Sequence, residues 1–194
     1  ETDAEDRYMY IGDDLVDAPD LSALQANLPN ANPLPRALKI TLVGDAVGKS
    51  TLIMALAGQL GLKPVPEECE EVALERVVGG EHFKVALHDV STQLCSAKRA
   101  QRYANTDVFV LCFSVVNKQS LRRLTSLWEP ELRSVAQGVR VVLVATHIDL
   151  RGHPKHKKAL KTADGQALAS TLGMEYVEVS GTAMDVEKLE QLVM

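Results

Sequence analysis

The sequence is poor in cysteine and in aromatic residues, and it has no long hydrophobic run. Its three cysteines, Cys69, Cys95 and Cys112, have the spacing of neither a metal site nor a redox pair. An odd number of unpaired thiols favours a reducing, intracellular setting, so we expect a cytoplasmic protein. No apolar run approaches the roughly 18 residues that a membrane-spanning helix needs, and we therefore expect no membrane span.

The chain also lacks an excess of positive charge. Its 194 residues include 21 Lys and Arg against 26 Asp and Glu, which gives a formal net charge of −5. This balance argues against a general nucleic-acid or membrane-surface binder, and we expect no nucleic-acid partner. The sequence begins at Glu1 rather than Met and ends within a helical pattern, so we expect a fragment in which lipid-attachment motifs at the ends are not visible.

Two regions of different composition follow one another. Residues 1–36 are acidic and end in a loop-like stretch with Pro33 and Pro35, so we expect an N-terminal extension that is either a tether or a regulatory segment. Within it, the apolar stretch 21–28 could form two helical turns. In residues 37–194, apolar strands alternate with helices, and this alternation predicts one folded domain.

The alternation predicts an α/β fold of three layers, with a mostly parallel six-stranded sheet and one early hairpin. The hairpin joins residues 72–78 to 82–88 around Gly79-Gly80. Continuous apolar runs at 108–116 and 139–145 are typical of parallel strands buried on both faces. Two further strands are expected at 38–43 and 175–179, and helices at 52–60, 118–134, 163–172 and 184–194.

The first strand of this domain passes into a helix through Gly44-Asp45-Ala46-Val47-Gly48-Lys49-Ser50-Thr51. A phosphate-binding loop has this position, because successive backbone N–H groups and the positive end of the helix hold phosphate oxygens. Lys49 would neutralise the outer phosphates, and the Ser50 hydroxyl would bind Mg²⁺. The usual motif has four residues between its two glycines, but this one has three. Either the cradle is narrower, or Val43 takes the place of the first glycine, or one residue is missing from the sequence.

Three later segments come directly after predicted strands, at the sheet edge where ligands of such folds bind. Asp89 closes the second strand of the hairpin and could hold Mg²⁺ through water. In Thr146-His147-Ile148-Asp149, the last carboxylate could accept two hydrogen bonds from guanine N1 and N2. Ser180-Gly181-Thr182 follows the last strand and could donate a backbone N–H to guanine O6. Together these segments indicate a site for GTP or GDP with Mg²⁺, and they disfavour a different phosphate-loop enzyme such as a kinase.

From about Leu38 to Met194, the chain resembles the small GTPases of the Ras superfamily, and among them the Rho branch. The strongest similarities lie in residues 106–116, in the Trp-Glu-Pro-Glu-Leu stretch at 128–132, and in residues 146–151. The helix insertion typical of Rho proteins is mostly absent after Asp149. In this respect, and in residues 52–54 and 117–120, the chain is similar to the mitochondrial Rho-like (Miro) GTPase domains.

The resemblance also implies roles for residues near the outermost phosphate. Gln93 would orient the attacking water, as the glutamine of the family's second switch does. The threonine of the first switch falls at Glu67, whose carboxylate could bind Mg²⁺ but would repel a triphosphate. The glycine of the second switch is Thr92 here, which reduces backbone freedom where the switch hinges. These changes predict weak or slow GTP hydrolysis.

The base side departs less from the family. His147 stands where a lysine stem covers the guanine, and Gly181 stands where an alanine offers only its N–H. We therefore expect a guanine-nucleotide-binding, Rho-like domain that signals through protein partners at two switch regions, residues 62–72 and 89–104. The alternative is a pseudo-GTPase, an interaction scaffold that keeps the fold but does not switch.

Overall fold

The computed structural model describes residues 8–11, 14–17, 35–58, 71–180, 187–189 and 191. The chain divides into two compact units, Glu1–Leu34 and Pro35–Met194. In the first unit, strands β1 (Tyr8–Ile11) and β2 (Asp14–Asp17) pair antiparallel, which the sequence pattern does not predict. The helical turns expected at 21–28 lie outside the described residues.

A six-stranded sheet forms the centre of the second unit. Its strands are β3 (Arg36–Val43), β4 (Val72–Val78), β5 (Glu81–Val90), β6 (Val108–Ser114), β7 (Arg140–Thr146) and β8 (Glu175–Glu178). They pair in the order β4-β5-β3-β6-β7-β8, and every pair is parallel except the hairpin of β4 and β5. The predicted mostly parallel sheet with one early hairpin is confirmed.

Helices connect the parallel strands. They are α1 (Lys49–Leu56), α2 (Ser96–Tyr103), α3 (Lys118–Arg123), α4 (Glu129–Val135) and α5 (Thr162–Leu172). A π-helical turn, Leu124–Trp128, joins α3 to α4, so the helix expected at 118–134 is continuous but contains one wide turn. Helix α2 is not predicted from the sequence, because few of its residues are apolar and one of its two buried residues, Arg99, is charged; the other is Tyr103.

Apolar layers cover both faces of the sheet. Along β6, Val108, Val110 and Cys112 belong to one core cluster, and Phe109, Leu111 and Phe113 belong to the other. Helix α1 packs into the first cluster, while residues of α2, of the π turn, of α4 and of α5 pack into the second. A strand with apolar side chains on both faces needs helices on both sides, and this confirms the three-layer α/β fold.

The parallel order brings the carboxyl ends of β3, β5, β6, β7 and β8 to one edge of the sheet. The segments that the sequence singles out begin at this edge, at Gly44, Asp89, Thr146 and Ser180. Of the two cysteines in the described residues, Cys95 is exposed and Cys112 is buried, and both are free thiols. Among the described helices, none has the length and apolarity needed to cross a membrane.

Candidate functional site

The loop between β3 and α1 begins at a position that only glycine can occupy. A Cβ on Gly44 would lie 2.6 Å from the carbonyl oxygen of Cys112, too close for any side chain. The preceding Val43 is fully buried inside β3 and has its own partners in both neighbouring strands. Val43 therefore does not take the place of the first glycine, and the structure favours the narrower cradle.

The second glycine of the loop ends the cradle and starts the helix. Gly48 has φ +81°, a left-handed conformation that favours glycine, and it is the N-cap of α1. A Cβ at this position would also lie 3.1 Å from Cε1 of His147, so the imidazole of the loop after β7 packs against the start of α1. The phosphate loop and the predicted base loop are thus in contact.

The ammonium group of Lys49 lies within the loop, and its side chain is 4% exposed. It donates hydrogen bonds to the carbonyl oxygens of Gly44 (2.9 Å) and Asp45 (2.8 Å), and it lies 3.3 Å from Oδ1 of Asp89. The Ser50 hydroxyl donates to the other carboxylate oxygen of Asp89 at 3.0 Å. The residues predicted to hold phosphate and metal are therefore brought together around one carboxylate.

The chemistry of this cluster fits a Mg²⁺ ion. Oδ1 of Asp89 is buried and has no hydrogen-bond partner in the described part of the chain, since its contact with Lys49 is an ion pair without hydrogen-bond geometry. A carboxylate oxygen left over beside a serine hydroxyl supplies the oxygen ligands that Mg²⁺ prefers. Glu67, the third predicted ligand, lies outside the described residues.

Within the described residues, no group of three or more His, Cys, Asp and Glu side chains could hold a metal ion. This does not conflict with the cluster, because Mg²⁺ in phosphate sites takes one or two protein oxygens and completes its coordination with substrate phosphates and water. Ser50 and Asp89 would supply two such protein oxygens.

Thr146 ties the end of β7 to the phosphate loop. Its buried hydroxyl donates to the carbonyl oxygen of Val47 at 2.6 Å and lies 3.2 Å from that of Phe113. Nδ1 of His147 lies 3.0 Å from the same hydroxyl oxygen, so the two neighbouring side chains are in hydrogen-bond contact. His147 itself has φ +60°, which is uncommon for a residue with a side chain and occurs most often in turns and sites.

The remaining predicted residues are exposed or half-buried, or they lie outside the described residues. Asp149 sits in a short 3₁₀ helix, Ile148–Leu150, and its carboxylate makes no hydrogen bond or ion pair with the residues that the structure describes. Thr51 and Gln93 are exposed, and the backbone N–H of Gln93 lies 3.4 Å from Ser91 Oγ. Ser180 is half-buried. Of the other predicted positions, Gly181 and Thr182 lie outside the described residues.

Behind Asp149, an ion-pair network connects the base loop to β8, and sequence reasoning did not assign it a role. The Arg151 guanidinium donates to both oxygens of Glu178, at 2.7 and 3.0 Å. The Tyr176 hydroxyl donates to the same carboxylate at 2.8 Å, and Thr162 Oγ1 donates at 3.2 Å. Hydrogen bonding from Arg151 holds the pKa of Glu178 below its usual value, whereas burial raises the pKa of Tyr176.

A similar network of hydrogen bonds connects α2 to α4 and to β5. The Arg99 guanidinium forms a two-pronged pair with Glu131 of α4 at 2.8 and 2.7 Å, and the Tyr103 hydroxyl donates to the same carboxylate at 2.9 Å. Hydrogen bonding from Arg99 lowers the pKa of Glu131. Arg102 donates to the carbonyl oxygen of Asp89 at 2.8 Å. The segment after β5 is thereby connected to the cluster of Lys49, Ser50 and Asp89.

A third set of contacts holds the side chain of Asp45, in the phosphate loop, through Trp128 and Arg123. Trp128 Nε1 donates to its Oδ1 at 3.1 Å, and Arg123 Nε lies 3.4 Å from its Oδ2. Trp128 is 83 positions from Asp45 in the chain, so no local pattern could have revealed the contact. The sequence offers only an indirect indication of this contact. The Asp45 carboxylate lies in a loop predicted to bind phosphate, and a negative group in such a loop needs a partner that compensates its charge.

Comparison with known proteins agrees with this geometry. A family model described as Ras, the Ras family, matches residues 39–194. The Ras-like GTP-binding protein RHO1 of Entamoeba histolytica is 34% identical over 152 residues, which cover 76% of this chain and 70% of that protein. The family match includes the phosphate loop and the segments at Asp89, Asp149 and Ser180. The chain therefore belongs to the Ras family of small GTPases and is a Rho-like member of it.

Proposed function

We propose that this domain binds GDP and GTP with Mg²⁺ at the carboxyl edge of its sheet, hydrolyses GTP slowly, and acts in signalling through protein partners in the cytoplasm. The observation that carries the proposal is the convergence of Lys49 and Ser50 on Asp89 at the start of α1. Membership of a family of guanine-nucleotide-binding proteins supports the choice of ligand.

Each part of the nucleotide has residues suited to it. The N–H groups of the loop from Gly44 to Thr51 and the Lys49 ammonium would bind the phosphates, and bound Mg²⁺ would neutralise part of their charge. Ser50 and Asp89, with Glu67 as a third oxygen donor, would hold that ion. Guanine would be recognised by the side chains and N–H groups of two loops: Thr146, His147 and Asp149, and Ser180, Gly181 and Thr182.

Slow hydrolysis is supported by the segment after β5. Gln93 is present and exposed, and the glutamine at this place in the family orients the attacking water. Thr92, in place of a glycine, restricts the backbone that must move when the outermost phosphate is bound or lost. We propose that protein partners bind at residues 62–72 and 89–104.

A second candidate function is a pseudo-GTPase scaffold. It is favoured by the state of Lys49, whose ammonium is already satisfied by two loop carbonyls and the Asp89 carboxylate. A phosphate that binds Lys49 would have to compete with these contacts. A chain that binds proteins without switching could retain this arrangement.

The deciding experiment is to denature the purified protein and to separate any released nucleotide by chromatography. We expect GDP or GTP at close to one equivalent, and much less from Lys49→Ala. Single-turnover hydrolysis of GTP, compared between the parent chain and Gln93→Ala, then measures catalysis. Absence of released nucleotide, together with no binding of added GDP and Mg²⁺, would exclude the nucleotide site and favour the scaffold instead.

A further inference from the structure

The phosphate loop contains a carboxylate that is held by a helix outside the loop. Asp45 accepts a hydrogen bond from the indole of Trp128 at 3.1 Å and forms an ion pair with Arg123 at 3.4 Å. The carbonyl oxygen of the same Asp45 accepts a hydrogen bond from Lys49 Nζ at 2.8 Å. One residue therefore connects the helix to the lysine that would bind phosphate.

Without these partners, the Asp45 carboxylate would work against phosphate binding. Two negative groups repel most strongly where water is excluded, and the Asp45 side chain is 15% exposed. Arg123 compensates the negative charge, while the indole of Trp128 fixes the direction of the carboxylate. Trp128 is fully buried, so its N–H has few other acceptors and its position is well defined.

The π-helical turn explains how two side chains of one helix reach the same carboxylate. In a regular α-helix, positions 123 and 128 would point about 140° apart, because each residue advances by about 100°. The π turn Leu124–Trp128 closes with a bond from the Glu129 N–H to the Leu124 carbonyl, which widens the helix by one residue. Residues five positions apart then lie on nearly the same face, and Arg123 and Trp128 both contact Asp45.

Trp128 is also in contact with the segment after β5. The Arg99 guanidinium of α2 lies over the indole ring, 5.5 Å from its centroid. The same guanidinium donates to the carbonyl oxygen of Leu94 at 2.6 Å. A continuous set of contacts thus runs from Leu94 through Arg99, Trp128 and Asp45 to Lys49.

We propose that Trp128 is a positioning residue for the nucleotide site, which sets the phosphate loop through Asp45 and couples residues 94–103 to nucleotide release. This rests on the proposed function, since nucleotide is the ligand whose release is measured. Through Trp128, the second switch region would be coupled to the phosphate loop even though position 92 is a threonine rather than a glycine. A protein that binds residues 94–103 would change the rate of nucleotide release through Arg99 and Trp128.

The first arm of the test needs no nucleotide. Trp128 is the single tryptophan of these 194 residues, so its indole N–H gives one NMR signal in this chain. Asp45→Ala removes the acceptor, and we expect this signal to shift and its hydrogen exchange to accelerate at least tenfold. Asp45→Asn keeps an oxygen acceptor and should preserve the protection. Thr125→Ala, in the same π turn but bonded to Arg122, is the control and should leave the signal unmoved. An unchanged signal in Asp45→Ala would overturn the contact.

The second arm measures dissociation of a fluorescent GDP analogue with Mg²⁺. Trp128→Phe keeps the packing but removes the N–H, and we expect release to accelerate about tenfold. In the Asp45→Ala background the same change should add nothing, because its target is already gone. Arg123→Gln removes the ion pair with the same carboxylate, and Arg123 is more exposed than Trp128, so we expect release to accelerate about threefold. This variant replaces Trp128→Phe in the test if Trp128→Phe does not fold.

The outcomes separate the inference from the proposed function. If Trp128→Phe lowers thermal stability but leaves GDP release unchanged, or if its effect multiplies independently with that of Asp45→Ala, Trp128 is only a core residue. If the parent chain binds no guanine nucleotide, the proposed function and the coupling to release are both wrong. The indole signal still decides in that case whether Trp128 holds Asp45.

Discussion

The base side and the phosphate side of the site are built in different ways. On the base side, Asp149 is exposed in a short loop, and the Arg151 pair with Glu178 joins that loop to β8. On the phosphate side, the loop is one residue short, and its shape depends on side chains from distant elements: Thr146, Trp128 and Arg123. The two loops therefore depend on different partners: the loop at Asp149 is joined to β8, whereas the phosphate loop contacts the end of β7 and the helix that carries Arg123 and Trp128.

The largest effect is expected from Asp149→Asn on the base side. If the carboxylate accepts from guanine N1 and N2, the amide cannot accept from both donors, and the unpaired group in the complex costs on the order of 1–3 kcal/mol. GDP affinity should fall accordingly, and xanthosine diphosphate, whose O2 accepts hydrogen bonds, should bind better than GDP. Titration calorimetry with both nucleotides measures this change. Unchanged GDP affinity would remove Asp149 from the site and with it the contrast between the two sides.

The next largest effect is expected from Glu178→Gln, which breaks the network behind Asp149. We expect a loss of about 1–2 kcal/mol in the free energy of unfolding at neutral pH, because a hydrogen bond to a charged group is stronger than one to a neutral group. The matched control is Glu175→Gln in the same strand, whose pair with Arg140 is about half exposed. That control should change stability by less than about 0.5 kcal/mol.

The same pair of variants has a defined pH dependence. Because Arg151 lowers the pKa of Glu178 in the folded state, its stabilisation is present above the unfolded pKa of about 4.3 and is lost as pH falls through the folded pKa. Urea denaturation between pH 6 and pH 3 should therefore show a smaller loss of stability for Glu178→Gln than for the parent chain. Equal slopes for both would mean that the carboxylate is not held by Arg151 in solution.

A smaller effect is expected from lengthening the phosphate loop. Insertion of Gly between Asp45 and Ala46 restores four residues between the glycines and adds one N–H donor. If the narrow cradle limits binding, nucleotide affinity should rise several-fold. An insertion of Gly between Gly79 and Gly80, in an open hairpin turn, is the control and should not alter affinity. If affinity does not improve while the fold is intact, the limitation lies elsewhere, with Glu67 as the first residue to test.

The smallest effect is expected between the two nucleotides themselves. A ligand shifts a switch only by its difference in affinity for the two states. With Glu67 and Thr92 where the family has a threonine and a glycine, GDP and a non-hydrolysable GTP analogue should bind within about tenfold, or roughly 1.4 kcal/mol. Hydrogen exchange over 62–72 and 89–104 should be nearly equal with either ligand. Strong protection of both segments by the triphosphate alone would show a working switch.

Much of the fold follows from local patterns in the sequence. The apolar runs at 108–116 and 139–145 predict β6 and β7, and Gly79-Gly80 predicts the hairpin, because side-chain periodicity and turn residues act within a few positions. Such patterns fail for α2, whose sequence Ser-Ala-Lys-Arg-Ala-Gln-Arg-Tyr has almost no apolar face. Its inward-facing groups are Arg99 and Tyr103, which become buried only because Glu131 accepts their hydrogen bonds.

The sequence predicted a mostly parallel six-stranded sheet with one early hairpin, the glycines of the loop after β3, and the segments at Asp89, Asp149 and Ser180 near the ends of strands. It did so because each of these depends on neighbouring residues and on the rule that parallel strands end at one edge. Only the tertiary structure decided that Val43 stays in β3, that a π turn interrupts the long helix, and that Trp128 holds Asp45. These depend on contacts between residues far apart in the chain, whose pairing is set by packing and by the need of buried polar groups for partners.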